Sequence, residues 1–157
     1  MNAAEKMVAE FSSRGLVCAV AESCTGGAIG SAIVSVSGAS AVFAGGVIAY
    51  SNDVKREVLK VSASTLERHG AVSAETASEM ASGVRALTNA DFAVSVTGIA
   101  GPGGGSEEKP VGLVWFGLAG KDGVRTERMI FSGGRSEVRG AAVEHALGML
   151  SEAAEGK

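Results

Sequence analysis

The chain reads as an α/β protein, a three-layer α/β/α sandwich built around a mixed, mostly parallel sheet. Three observations predict this. Segments with helical spacing alternate with short apolar runs of strand length. Two late runs are joined by a hairpin signal, which makes one pairing antiparallel. The 157 residues suffice for one core, and no linker, repeat or charge block divides them, so residues 1–157 form a single domain.

Residues 3–14 place Met7, Val8 and Phe11 at helical spacing, and Gly15 ends that helix. Residues 16–22 (LVCAVAE) form a buried strand. Residues 23–36 open as a turn and continue as a helix lined with small residues. Residues 42–51 give a second strand, weakened or bulged at Gly45 and Gly46. Two short helices follow at 52–60 and 62–70, then a longer one at 73–88 with Ser73 as its cap. Residues 91–98 form a strand that runs into the glycine-rich loop IAGPGGGSEEKP. Residues 111–119 and 124–132 pair through Lys121-Asp122-Gly123, because Asp-Gly is a strong hairpin signal. A last helix covers 136–152.

Composition excludes several classes. Apolar residues make up 46% of the chain and aromatics only 4%, with 23 glycines, so the core is built from Ala, Val, Ile and Leu. Five Phe, one Tyr and one Trp are too few for a base-stacking platform. The net charge of −3 and the lack of any Lys/Arg-rich run argue against a nucleic-acid partner. A single phosphate is different, since one Arg and a few backbone N–H groups suffice. Cys18 and Cys24 read as free thiols of a reducing compartment. The polar start and the absence of a long apolar run predict a cytoplasmic protein with no membrane partner.

In open α/β sheets, ligands gather beyond the C-terminal ends of the strands. Polar, glycine-rich turns follow Glu22, Tyr50 and Thr97, which places one site at one edge of the sheet. Ser23 lies at a strand-to-helix junction in AESCTGG. It reads either as a helix cap or as a reactive hydroxyl, and the two glycines after it go beyond what a cap requires. Cys24 is a competing nucleophile without a nearby His in sequence to activate it. Glu22 reads as solvated, capping or orienting, and Ser40 as a turn hydroxyl with a lesser claim on ligand. Tyr50 and Lys55 lie five apart across a turn, although a lone Lys is ordinarily a solvated surface residue.

The glycine loop is neither a Walker A sequence nor a dinucleotide fingerprint. Ser106-Glu107-Glu108-Lys109 matches Ser-x-x-Lys only formally, in a charged loop. His69 and His145 have no second ligand at metal-binding spacing, so no metal and no cofactor are expected.

Taken together, AESCTGG (21–27), AYSNDVK (49–55), HGAVS (69–73), VTGIAGPGGGSEEKPVG (96–112) and FSGGR (131–135) resemble the CinA C-terminal domain family in order and spacing. Its stand-alone members are nicotinamide-nucleotide amidohydrolases of the PncC type. The resemblance implies an α/β/α fold, a homodimer, and metal-independent hydrolysis of the carboxamide of nicotinamide mononucleotide, a pyridine mononucleotide. It implies catalytic roles for Ser23, Lys55 and Tyr50. It implies substrate contacts for Thr97 and Arg135, with Ser40 a weaker match; Thr25, Gly26 and Gly27 of the turn and Gly98, Gly101 and Gly103 of the loop are expected to join them. The family's last motif usually reads Phe-Ser-Gly-Asp-Arg, whereas Gly134 stands here.

The expected chemistry has Ser23 attack the carboxamide and Lys55 take its proton, with Tyr50 relaying or positioning. N–H groups of the 24–27 turn would hold the oxyanion. Lowering Lys55 from about 10.4 to about 8 requires roughly 3 kcal/mol, expected from desolvation or from repulsion by Arg135 and the pyridinium. The alternative is a non-catalytic nucleotide-binding or regulatory module on the same fold.

Overall fold

The computed structural model describes residues 1–156. Helix α1 (Ala3–Arg14) starts on Asn2, whose side chain accepts from the Glu5 N–H while the Glu5 carboxylate accepts from the Asn2 N–H. Gly15 ends it in the left-handed conformation. Strand β1 (Cys18–Glu22) leads through a turn to α2 (Ala28–Val34), and a 3₁₀ turn (Ala39–Ala41) leads to β2 (Phe43–Ile48). Helices α3 (Asn52–Glu57), α4 (Ala63–His69) and α5 (Ala74–Thr88) are capped by Ser51, Ser62 and Ser73. Strands β3 (Phe92–Gly98), β4 (Leu113–Gly120) and β5 (Gly123–Ile130) precede α6 (Arg135–Glu155).

The sheet order is β2-β1-β3-β4-β5. Strands β2, β1 and β3 are parallel, and β4 runs antiparallel to both its neighbours. Four of the five strands therefore point one way, and their C-terminal ends share one edge. Gly120 pairs with Gly123, leaving Lys121 and Asp122 as the two-residue hairpin turn. The expected irregularity in β2 is a bulge: Cys18 faces Phe43 and Ala19 faces Gly45, so Ala44 is left over and Gly45 takes φ +140°.

Alternation along β1 explains how a fully buried strand serves two cores. Cys18 and Val20 join Met7, Phe11, Ile29, Ile33 and Leu150 beneath α1, α2 and α6. Ala19 and Ala21 join Leu59, Met80, Val84 and Ala93 beneath α5. Phe11 is fully buried and meets Phe92 edge-on at 6.2 Å. Truncating such a side chain costs about 3–5 kcal/mol. Helix α5 also lies against the chain that leaves α3. A Cβ built on Gly83 would stand 1.9 Å from the Leu59 carbonyl oxygen, so only glycine permits this approach.

The structure shifts several expected boundaries. Helix α2 begins at Ala28 because residues 23–27 form a turn with its own hydrogen bonds. Strand β4 begins at Leu113, since Gly112 turns back to hydrogen-bond Ile99.

Candidate functional site

A cavity of about 310 Å³ opens at the C-terminal edge of the sheet. Ser23 enters it after β1, Tyr50 and Lys55 after β2, Thr97 and the glycine loop from β3, and Arg135 from the start of α6. A larger cavity of about 660 Å³ surrounds the β4–β5 turn, at the other end of the sheet. Its lining includes Arg85, Asp91, Lys121, Asp122 and Arg125, whereas Ser23, Lys55, Thr97 and Arg135 converge on the smaller one.

Lys55 is 1% exposed, and three acceptors surround its amine. Nζ lies 2.9 Å from Ser23 Oγ, 2.9 Å from the Ala49 carbonyl and 3.1 Å from the Tyr50 carbonyl. Among the described residues no carboxylate comes within 4.0 Å of it. Burial holds its pKa below the usual lysine value. Arg135 is not among the causes, so the expected repulsion from that residue is replaced by desolvation.

Ser23 is not a helix cap. Its N–H is bound to the Val96 carbonyl and its Oγ accepts from Lys55. Glu22 takes the capping role instead. Its Oε1 accepts from Thr25 Oγ1 (2.6 Å) and from the N–H groups of Gly27 (3.1 Å) and Ile29 (3.0 Å), while Oε2 accepts from the Gly30 N–H (3.0 Å). The α2 terminus, open to an external anion as the sequence reads, is filled by the chain's own carboxylate. Gly27 starts the helix at φ +105°, a backbone region that glycine adopts without strain.

These bonds redistribute the expected roles. The Thr25 hydroxyl and the Gly27 N–H are spent on Glu22, and the Gly26 N–H on the Ser23 carbonyl. Within the turn, the N–H groups of Cys24 and Thr25 have no main-chain acceptor among the described residues; Cys24 lines the cavity, whereas Thr25 is fully buried. Cys24 is a buried thiol whose pKa is pushed up to about 11 by desolvation, which leaves it protonated at neutral pH. The Tyr50 phenol is directed to Arg135 (Nη2 to Oη, 3.5 Å) rather than between Ser23 and Lys55. Tyr50 holds the lysine through its backbone carbonyl, so a phenolic relay is not built here.

Thr97 is buried and donates to the Ala71 carbonyl. Gly98, Gly101 and Gly103 line the cavity. Arg135 donates from Nη1 to the Gly101 carbonyl at 2.7 Å. This carbonyl and the Tyr50 phenol hold the guanidinium although Gly134 stands where the family usually has Asp. Ser40 lies in the exposed 3₁₀ turn before β2, at the opposite end of that strand from the cavity.

One residue was not singled out by sequence. Arg139, one turn beyond Arg135 on α6, donates from Nε to the Cys24 carbonyl (3.0 Å) and from Nη2 to the Thr25 carbonyl (2.9 Å). Its four-residue spacing from Arg135 was the available signal. Among the described residues no three His, Cys, Asp or Glu side chains form a metal-holding group. His145 is paired with Glu127 at 2.9 Å, and His69 lies 3.7 Å from Glu75. Among the described residues no helix is long and apolar enough to cross a membrane.

Known proteins resemble this chain in sequence and fold. The nicotinamide-nucleotide amidohydrolase PncC of Enterobacter agglomerans is 56% identical over 132 residues, covering 83% of this chain and 80% of that protein. The CinA-like protein of Synechococcus sp. is 50% identical over 149 residues, covering 94% of this chain but 36% of that protein. The chain spans about a third of the length of several such longer relatives. The crystal structure of CihA from Agrobacterium tumefaciens is 46% identical and superposes with a TM-score of 0.93, covering 98% of this chain and 93% of that one. The CinA C-terminal domain model matches residues 1–154. The chain belongs to the CinA C-terminal domain family.

Proposed function

We propose that this chain hydrolyses the carboxamide of nicotinamide mononucleotide to nicotinate mononucleotide and ammonia. The observation that carries the reading is the buried pair of Lys55 Nζ and Ser23 Oγ, 2.9 Å apart, at the floor of a cavity large enough for a ring. A surface lysine is charged and useless as a base, whereas this one is desolvated and lacks a carboxylate to keep its proton. The identity to the Enterobacter agglomerans amidohydrolase supports the choice of substrate.

The two carbonyls only accept. A neutral Lys55 therefore directs both its N–H bonds to Ala49 and Tyr50 and its lone pair to the Ser23 hydroxyl. Ser23 Oγ attacks the carboxamide carbon as its proton passes to Nζ. Lys55 then gives that proton to the departing nitrogen, which leaves as ammonia and yields an acyl ester on Ser23. A water molecule, deprotonated by Lys55, cleaves the ester and restores the hydroxyl. The N–H of Cys24, which lines the cavity, takes the oxyanion role, because those of Gly26 and Gly27 are engaged and Thr25 is fully buried.

Arg135, exposed at the first position of α6, takes the ribose phosphate together with the unfilled helix end and the glycine loop. Ammonia release measured on nicotinamide mononucleotide, its nucleoside and free nicotinamide tests the reading. Turnover is expected with the mononucleotide, weaker turnover with the nucleoside, and no change after dialysis against a chelator. No ammonia from any of them rejects it in favour of a binding module.

A further inference from the structure

We infer that Arg139 is a positioning residue for the oxyanion site, acting through the backbone of the Ser23 turn rather than by touching substrate. It rests on the reading of Ser23 as the nucleophile. Arg139 is half-buried, and among the described residues no carboxylate lies within 4.0 Å of it. Its directed bonds go to two consecutive main-chain carbonyls, those of Cys24 and Thr25. A desolvated cation spent on neutral carbonyls is a costly way to anchor a helix to a turn, and any apolar contact would serve that purpose.

The peptide geometry indicates what the cation does. In a planar trans peptide, C=O and N–H point in opposite directions. Drawing the Thr25 carbonyl toward α6 turns the Gly26 N–H away from α6, and that N–H lands on the Ser23 carbonyl at 3.1 Å. The Ser23 carbonyl, held in that bond, sends the N–H across its own peptide, that of Cys24, to the opposite side; Cys24 lines the cavity, and among the described residues its N–H has no main-chain acceptor. Arg139 thus fixes a donor beside Ser23. Its charge on the Thr25 carbonyl polarises this chain of peptides and strengthens the Cys24 N–H as a donor. Gly26 takes φ +60° in this turn, a conformation that favours glycine.

The test uses two readouts, ammonia release from nicotinamide mononucleotide and acylation of Ser23 by p-nitrophenyl acetate followed by mass spectrometry. Arg139→Met keeps the stem and removes the charge. It is expected to lower kcat about 30-fold or more with KM changed less than threefold, and to slow acylation by a similar factor. Arg139→Ala is expected to regain part of its acylation rate when guanidinium ion is added, which an anchor acting by packing alone would not show. Wild-type protein that is acylated but releases no ammonia would remove the proposed substrate and leave the Arg139 comparison readable. A folded Arg139→Met variant acylated at the wild-type rate overturns the inference. So does a rise in KM without loss of kcat, or a wild-type Ser23 that the ester does not acylate.

Discussion

Helices α2 and α6 both begin at the C-terminal edge of the sheet, and neither starting glycine, Gly27 or Gly134, supplies a side-chain cap. Their N-termini carry the same partial positive charge, yet the chain treats them oppositely. At α2 a buried carboxylate, Glu22, receives three backbone N–H groups and a hydroxyl. At α6 no side chain caps the end, and its first turn carries two opposite charges, Arg135 and Glu137. A closed end makes a rigid turn, which suits a residue that must meet Lys55 at a fixed distance. On the proposed reading, the open end keeps its donors for the phosphate of the substrate.

Breaking the closed end at its reactive pair is expected to have the largest effect. Ser23→Ala and Lys55→Ala should each lower kcat for ammonia release by about 10³-fold or more, and the double variant should be little worse, because residues acting as one unit are not additive. Cys24→Ala should keep most of the activity. A folded Ser23→Ala protein with near-normal turnover would return Ser23 to a structural role.

The open end should respond in binding instead. Losing a charge-assisted phosphate contact costs about 2–3 kcal/mol, so Arg135→Ala should raise KM for the mononucleotide about 30- to 100-fold. The nucleoside should lose less than threefold, and equal losses for both would take the phosphate away from Arg135. In urea unfolding, Glu22→Gln should cost about 2 kcal/mol, since an amide offers one acceptor oxygen where the carboxylate uses two. Unchanged stability would mean that the α2 end is not held by that carboxylate.

The lowered pKa of Lys55 gives a pH-dependent test of the same turn. Turnover should rise with pH through an apparent pKa below the ordinary lysine value, as the base loses its proton. For stability the unfolded chain binds that proton first, so burial of Lys55 destabilises the fold as pH falls below about 10.4. The Tm difference between Lys55→Met and the parent should therefore favour the variant more at pH 7 than at pH 10. No change in the difference would show that burial leaves this lysine unperturbed. The smallest effect is expected at the open end. Gly134 has extended backbone angles that suit a capping Asp, so Gly134→Asp should add a few tenths of a kcal/mol, about 1 °C in Tm.

The contrast between the two helix ends also marks how far the sequence could be read. Hydrophobic spacing located α1 and α5, and Asp122-Gly123 located the hairpin, because local chemistry decides those elements. Glu22 stayed ambiguous because its partners become visible only once β1 and α2 are docked. Arg139 was overlooked because an arginine on a helix normally faces water. Lys55 stood out through family resemblance, since burial of a lysine is a tertiary fact. Ser40, read chiefly as a turn hydroxyl, lies in the 3₁₀ turn before β2, away from this chain's cavity.

The close approach at Gly83 carries a consequence for how the protein tolerates change. Alanine in place of a helical glycine ordinarily adds about 0.5–1 kcal/mol of stability and passes unnoticed. Here an added methyl would strike the Leu59 carbonyl, in a segment tied back through the Val61 N–H to the carbonyl of Lys55. A mutation far along another helix thus becomes a displacement of Lys55. Position 83 is closed to neutral drift although it touches nothing that reacts, and a screen of Gly83 variants would find damaged turnover wherever it found folded protein.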